Sequence, residues 1–203
     1  MVRSAAATAL VSDCRFEELA SYGAIVAPDG GHLFVQGCLF AGIDGVGIGE
    51  FVAPVGRTRR EAYGGGTIVS ALGNTFARVE GGALSPPGGV LVQEFSRNVV
   101  TGGNIGVVLS FVDIGGLSAF MCNDVWGNET DWAGGPNLAG QFGNFSLPPL
   151  YCDPGGNDFS VSQNSPCLPE NNACGALVGA FGQGCGVTSV EPMSWARAKA
   201  MFR

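Results

Sequence analysis

The chain has 203 residues, 46% of them hydrophobic and only 13% charged, and carries a net charge of −7. That length accommodates one domain with a sizeable core, and so much apolar surface excludes a disordered chain. The ten basic residues, Lys199 being the sole lysine, form no run able to follow a phosphate backbone, which excludes nucleic acid as a partner, and no apolar stretch has the length of a transmembrane segment.

Thirty-four glycines without a three-residue period exclude collagen and imply dense turns, hence an all-β chain. From the N-terminus, "MVRSAAATALVSDC" is too weakly apolar between Ala5 and Val11 for a signal peptide. A repeat then begins. "VSDC" at 11–14, "VQGC" at 35–38, "ALGN" at 71–74, "FSRN" at 95–98 and "FMCN" at 120–123 share one position, filled by Cys14, Cys38, Asn74, Asn98 and Asn123. Most steps are 24 or 25 residues, and the longer step from 38 to 74 is one coil plus an insertion. A fixed period of this size predicts a stacked solenoid of about five coils.

A Gly-Gly pair precedes the last four of these marks, in "GGHL" (30–33), "GGTI" (65–68), "GGVL" (88–91) and "GGLS" (115–118). Each pair supplies a sharp corner, and the β-favouring run after it a strand. Aligned on the Asn/Cys position, the residue three before is Val35, Ala71, Phe95 or Phe120, and the residue two after is Phe16, Phe40, Phe76, Val100 or Val125. Columns apolar in every copy point into a solenoid. Asn74, Asn98 and Asn123 are expected to form a ladder of side-chain amides, a structural role and not a catalytic one.

The GGx and FxxN marks resemble the repeats of polymorphic outer-membrane proteins and of right-handed parallel β-helix proteins of bacteria, the pectate-lyase-like superfamily. The stretch "NFSLPPLYCDPGGNDFSVSQNSPCLPENNACGALVGAFGQGC" from Asn144 is similar to the closing segment of such secreted proteins. The resemblance covers roughly residues 11 to 185. It implies an all-β, right-handed, single-stranded parallel β-helix, found in secreted or bacterial cell-surface proteins. Family members carry a signal peptide and more coils, so the resemblance implies that upstream coils precede this stretch. The chain divides into coils (1–143), a Cys/Gly/Pro-rich closing segment (144–186), and a linker with a short helical tail (187–203) built on "MSWARAKAMFR".

Seven cysteines without CxxC pairs favour disulfides over zinc and export over cytosol. Four of them, Cys152, Cys167, Cys174 and Cys185, crowd the closing segment, where the last coils lack a neighbour and need a staple. Four cysteines allow three connectivities; the short-loop pairing Cys152 with Cys167 and Cys174 with Cys185 is the expectation. Cys14 and Cys38 share a column as buried thiols or a disulfide, and Cys122 is expected to be a lone buried thiol.

Catalysis on β-helices that resemble this one needs a strong base with calcium, or paired aspartates, and neither set is complete here. His32, the only histidine, opens a strand and is read as a surface or ladder residue. The insertion "VGRTRREAYGG" places Arg57, Arg59, Arg60 and Tyr63 on a loop, a clamp for an acidic sugar if not a solvated loop. In "NDVWGNETDWAGG", Asp124, Glu129 and Asp131 with Trp126 and Trp132 offer a calcium or sugar-stacking site, or a polar turn with packing aromatics. The functional expectation is a non-catalytic secreted or cell-surface module for carbohydrate or surface contact, or a structural spacer. Its rival is the C-terminal part of a polysaccharide-active enzyme whose catalytic coils lie upstream. The sequence requires no cofactor, calcium being the one its carboxylates could take, and a polysaccharide or cell-surface component is the expected partner.

Overall fold

A computed structural model describes residues 8–20, 23–26, 31–49, 67–85, 90–110 and 114–186. The insertion carrying Arg57, Arg59, Arg60 and Tyr63 lies outside the described residues, as does the expected helical tail. Within them the chain winds as a parallel β-solenoid of about six turns. The first coil holds β1 (Thr8–Ser12), β2 (Arg15–Leu19) and β3 (Gly23–Val26), the second β4 (Gly31–Gln36), β5 (Leu39–Ile43) and β6 (Val46–Gly49), and the third β7 (Thr67–Leu72) and β8 (Thr75–Val79). The fourth holds β9 (Val90–Ser96), β10 (Val99–Thr101) and β11 (Ile105–Val108), the fifth β12 (Phe120–Met121), β13 (Asp124–Trp126) and β14 (Thr130–Ala133).

Equivalent strands stack in parallel. The first sheet runs β1-β4-β7-β9-β12 and the second β2-β5-β8-β10-β13. On a third side, the pairs β3–β6 and β11–β14 are joined through isolated bridges at Leu84. Between the first two sheets the chain turns through the left-handed region, at Asp13, Gly37, Gly73, Arg97 and Cys122, each just before the Asn/Cys position. A second corner repeats the device at Glu18, Gly42, Arg78, Gly102 and Gly127. Glycine enters such backbone freely, whereas Arg97 or Glu18 does so at a cost. The Gly-Gly mark at 115–116 behaves otherwise than expected, because it lies inside a 3-10 turn, Ile114–Ala119, and the strand after it, β12, is only two residues long.

The expected columns are in register. Val11, Val35, Ala71, Phe95 and Phe120 align along the first sheet, and Phe16, Phe40, Phe76, Val100 and Val125 along the second. Each coil thus contributes one Phe and one smaller partner. The aromatic sits on the second sheet in the first three coils and on the first sheet in the next two. Rings stack at 4.9 Å (Phe16–Phe40) and 4.6 Å (Phe40–Phe76), and the stack crosses the core at Phe76–Phe95, 6.2 Å. On the third side Ile25, Ile48, Leu84, Val107 and Trp132 complete the core.

The asparagine ladder has one more rung than expected. Asn74 N and Nδ2 donate to Asn98 Oδ1, Asn98 to Asn123 and Asn123 to Asn144, all at 2.9–3.1 Å. The second Nδ2 proton of each goes to a backbone oxygen, of Val35, Ala71, Phe95 and Phe120 in turn. Cys38 N donates to Asn74 Oδ1, so the cysteine rung hangs from the ladder by its backbone. Four buried amides are thereby satisfied without water.

The closing segment does not sit across the end of the solenoid, as the cysteine spacing suggested. It runs back along the outer face of the second sheet. Strand β15 (Tyr151–Asp153) pairs antiparallel with β16 (Asp158–Ser162), which pairs parallel with β17 (Gln183–Cys185). Phe159 packs on Leu39, Ala41 and Ala77, while Val161, Leu168 and Val178 pack around Val99. These four solenoid residues are the outward side chains of β5, β8 and β10. Strands apolar on both faces need cover on both, and burying each large side chain contributes about 1.5–3 kcal/mol. At the far end, the Arg78 guanidinium donates to Pro154 O (3.1 Å) and Asn157 Oδ1 (3.0 Å), and Arg15 to Asn157 O (3.1 Å).

This path rewires the cysteines. The disulfides are Cys122–Cys174 and Cys152–Cys185, in place of the short loops Cys152–Cys167 and Cys174–Cys185. Strand pairing brings Cys185 beside Ser162 and so to the strand next to Cys152. Cys122, expected as a lone thiol, occupies a left-handed corner whose sulfur reaches the closing segment, and Gly143 packs so close that a Cβ there would lie 2.9 Å from both sulfurs. Cys167 is the free one, fully buried. Cys14 and Cys38 are free as well, with Cys14 N 3.4 Å from Cys38 Sγ, and burial pushes the Cys38 thiol up.

Candidate functional site

Four large apolar side chains are exposed on the outer face of the first sheet, and four others, Trp126, Phe142, Leu147 and Leu150, are exposed elsewhere among the described residues. Leu33 and Val35 of β4 point inward, so Phe34 and Gln36 point out. Leu10 on β1, Leu91 on β9 and Met121 on β12 are likewise exposed, Leu10 by 66% and Leu91 by 60%. On the same side Ser70 and Ser96 are buried, so the exposed apolar side chains alternate with covered polar ones. His32 stands on the same side of β4, its ring 3.8 Å from that of Phe34 and its Nε2 2.9 Å from Ser70 Oγ, which agrees with a surface ladder position.

Between β9 and the 3-10 turn lies a shallow groove of about 420 Å³, lined by Leu91, Gln93, Glu94, Ser118, Ala119 and Met121. Ser96 Oγ donates to Glu94 Oε1 at 2.6 Å, which holds that carboxylate in place. An apolar floor with a fixed carboxylate and a free amide can meet the faces and hydroxyls of a sugar or a flat polymer. Sequence reading missed this groove because its polar lining, Gln93 and Glu94, lies within one strand between core residues Val92 and Phe95.

The second stretch singled out, 123–135, is dispersed by the fold. Trp132 is an interior residue, edge-on to Phe120 at 6.5 Å, and so presents no stacking face to a ligand. Trp126, 39% exposed, lies on the outer face of the second sheet. Asp124 is fully buried, its Oδ1 accepting from Leu147 N (3.0 Å) and its Oδ2 3.6 Å from Cys167 Sγ. Burial pushes its pKa up to about 7, and the Asp131 charge adds to this against the Leu147 and Cys167 hydrogen bonds. Asp131 accepts from the backbone and side chain of Asn128, and Glu129 is exposed. The three carboxylates have three different settings, and among the described residues no group of three His, Cys, Asp or Glu converges.

Both Asn-x-Ser/Thr sequences are consumed by structure. Asn144 is a ladder rung, and Asn128 accepts from Gly103 N and donates to Val100 O. The fold therefore defines the class: a parallel β-solenoid with a disulfide-bonded cover over its second sheet. No protein-family model, no curated protein and no solved structure matches the chain.

Proposed function

We propose that this chain is a secreted or cell-surface β-solenoid module that contacts carbohydrate or another extended surface through the outer face of its first sheet. One observation carries the reading. Leu10, Phe34, Leu91 and Met121 are exposed together on a stacked parallel sheet, beside the Gln93–Glu94 groove, while the opposite treatment, burial under a dedicated cover, is given to the second sheet. Exposed apolar side chains repeated on one sheet face beside polar groups suit an interaction surface. Two disulfides fit an oxidising compartment. The likeness of the repeats to those of bacterial parallel β-helix proteins, many of which meet polysaccharides, supports the same reading.

Affinity electrophoresis tests it. The purified chain is run through gels containing pectin, alginate, xylan or hyaluronan, with calcium or chelator, beside a Phe34→Ala/Leu91→Ser variant. Retardation with intact polymer, lost in the variant, is the expected result. Migration unaffected by every polymer contradicts carbohydrate contact, and a cleared zone after staining would make the chain an enzyme instead.

A further inference from the structure

The solenoid and its cover share the apolar seam at Val99, Leu39, Ala41 and Ala77, but each has a hydrogen-bonded framework of its own. The ladder ends on Asn144, and Phe145 bridges to Asp124, which completes the last coil without any residue of the cover. The cover has its own sheet and its own disulfide, Cys152–Cys185. The polar contacts across the seam are Gly179 N to Arg97 O, Ala180 N to Thr75 Oγ1, Leu147 N and Cys167 Sγ to Asp124, Tyr151 OH with Thr101, Cys174 Sγ to Gly143 O, and the two arginines at the tip, which also lie over the Phe181 and Phe159 rings. A single covalent cross-link, Cys122–Cys174, ties the cover to the coils.

We propose that the cover, residues 147–186, is a lid that reduction of Cys122–Cys174 releases from the outer face of the second sheet, with the solenoid remaining folded. A dithiol reductant of the thioredoxin type carries out the step. One of its thiolates attacks a sulfur of the Cys122–Cys174 bond and forms a mixed disulfide. Its second thiol then resolves that bond, leaving Cys122 and Cys174 as thiols and the reductant oxidised by the same two electrons. Release uncovers the apolar strip of Leu39, Ala41, Ala77 and Val99, and it exposes Cys167, which sits on the lid's inner side with its Sγ against Asp124.

Cys167 is therefore a built-in reporter. The test compares wild type with Cys122→Ser/Cys174→Ser, which leaves Cys152–Cys185 intact, using alkylation resolved by peptide mass and hydrogen exchange over the whole chain. Labelling of Cys167 is expected to rise more than about tenfold in the variant, with faster exchange confined to 147–186 and the ladder amides of 71–123 still protected. Wild type treated with a dithiol should reproduce the variant. Unchanged Cys167 protection in both would overturn the proposal, because the cross-link would then not hold the lid. Simultaneous loss of protection in the ladder would overturn it too, since lid and solenoid would be one cooperative unit. Neither readout involves a polysaccharide, so the outcome is independent of the proposed surface contact.

Discussion

Asn98 makes four side-chain hydrogen bonds in a site closed to solvent, two received by Oδ1 and two given by Nδ2. Asn98→Ala would strand the Asn74 backbone and side-chain donors and the Ala71 carbonyl in the core, and would leave Asn123 Oδ1 with only the backbone N–H of residue 98. A loss of about 3–5 kcal/mol is expected in denaturant unfolding, and a loss under about 1 kcal/mol would mean that the ladder contributes little. The ladder was legible because Asn recurs at a period. Its last rung was not, since Asn144 follows Asn123 by only 21 residues and has Gln141, not an apolar residue, three positions before it. Asp124 is the other telling residue. Its folded pKa, raised to about 7 from 3.8, means that the native state holds a proton the unfolded chain has released. Its contribution is thus most favourable below pH 4 and is lost as pH rises to about 7, at a slope approaching about 1.4 kcal/mol per pH unit. Asp124→Asn keeps the acceptor for Leu147 N and removes the proton. Wild type should lose stability relative to this variant between pH 5 and 8, and parallel curves would show that the carboxyl is ionised in the fold.

At the scale of elements, what matters is that each coil carries one large and one smaller inward residue. The pairs are Val11 with Phe16, Val35 with Phe40, Ala71 with Phe76, then Phe95 with Val100 and Phe120 with Val125. Phe95→Val leaves a cavity and Val100→Phe alone overfills a close-packed coil, so each should cost about 1–3 kcal/mol. The double variant restores the arrangement of the coils before it and should recover at least about 1 kcal/mol relative to additivity, measured as a double-mutant cycle. Strict additivity would show that the columns pack independently. These columns could be read from sequence because they repeat. The outward residues of the same strands carried a second signal, "LFA", "TFA" and "VVT" being apolar or small on both faces, which requires a cover. That signal is not periodic beyond three coils, for Arg15 and Glu17 begin the column and Asp124 and Trp126 end it, and the cover comes from a segment with no repeat.

For the whole molecule, the solenoid class followed from spacing alone, whereas the three-dimensional course of residues 147–186 did not. Loop length favours joining near cysteines, and a segment that doubles back makes distant ones neighbours. Cys122 and Cys174 are 52 residues apart in sequence yet 6.1 Å apart between Cα atoms. The same doubling back separates the two candidate faces: the second sheet is occupied by the chain's own C-terminal segment, and the first carries the groove beside Leu91 and Met121. The polar stretch 123–135 scattered for a related reason, since a coil alternates its side chains between core, cover and solvent, and spacing within a turn cannot tell these apart.

The C-terminal segment lies along the second sheet and is fastened to its last corner. Peptide mass mapping of the unreduced, alkylated protein checks this path. Peptides joined through Cys122–Cys174 and Cys152–Cys185 are expected, with Cys14, Cys38 and Cys167 unpaired. Peptides joined through Cys152–Cys167 and Cys174–Cys185 would contradict it and return the segment to the solenoid's end.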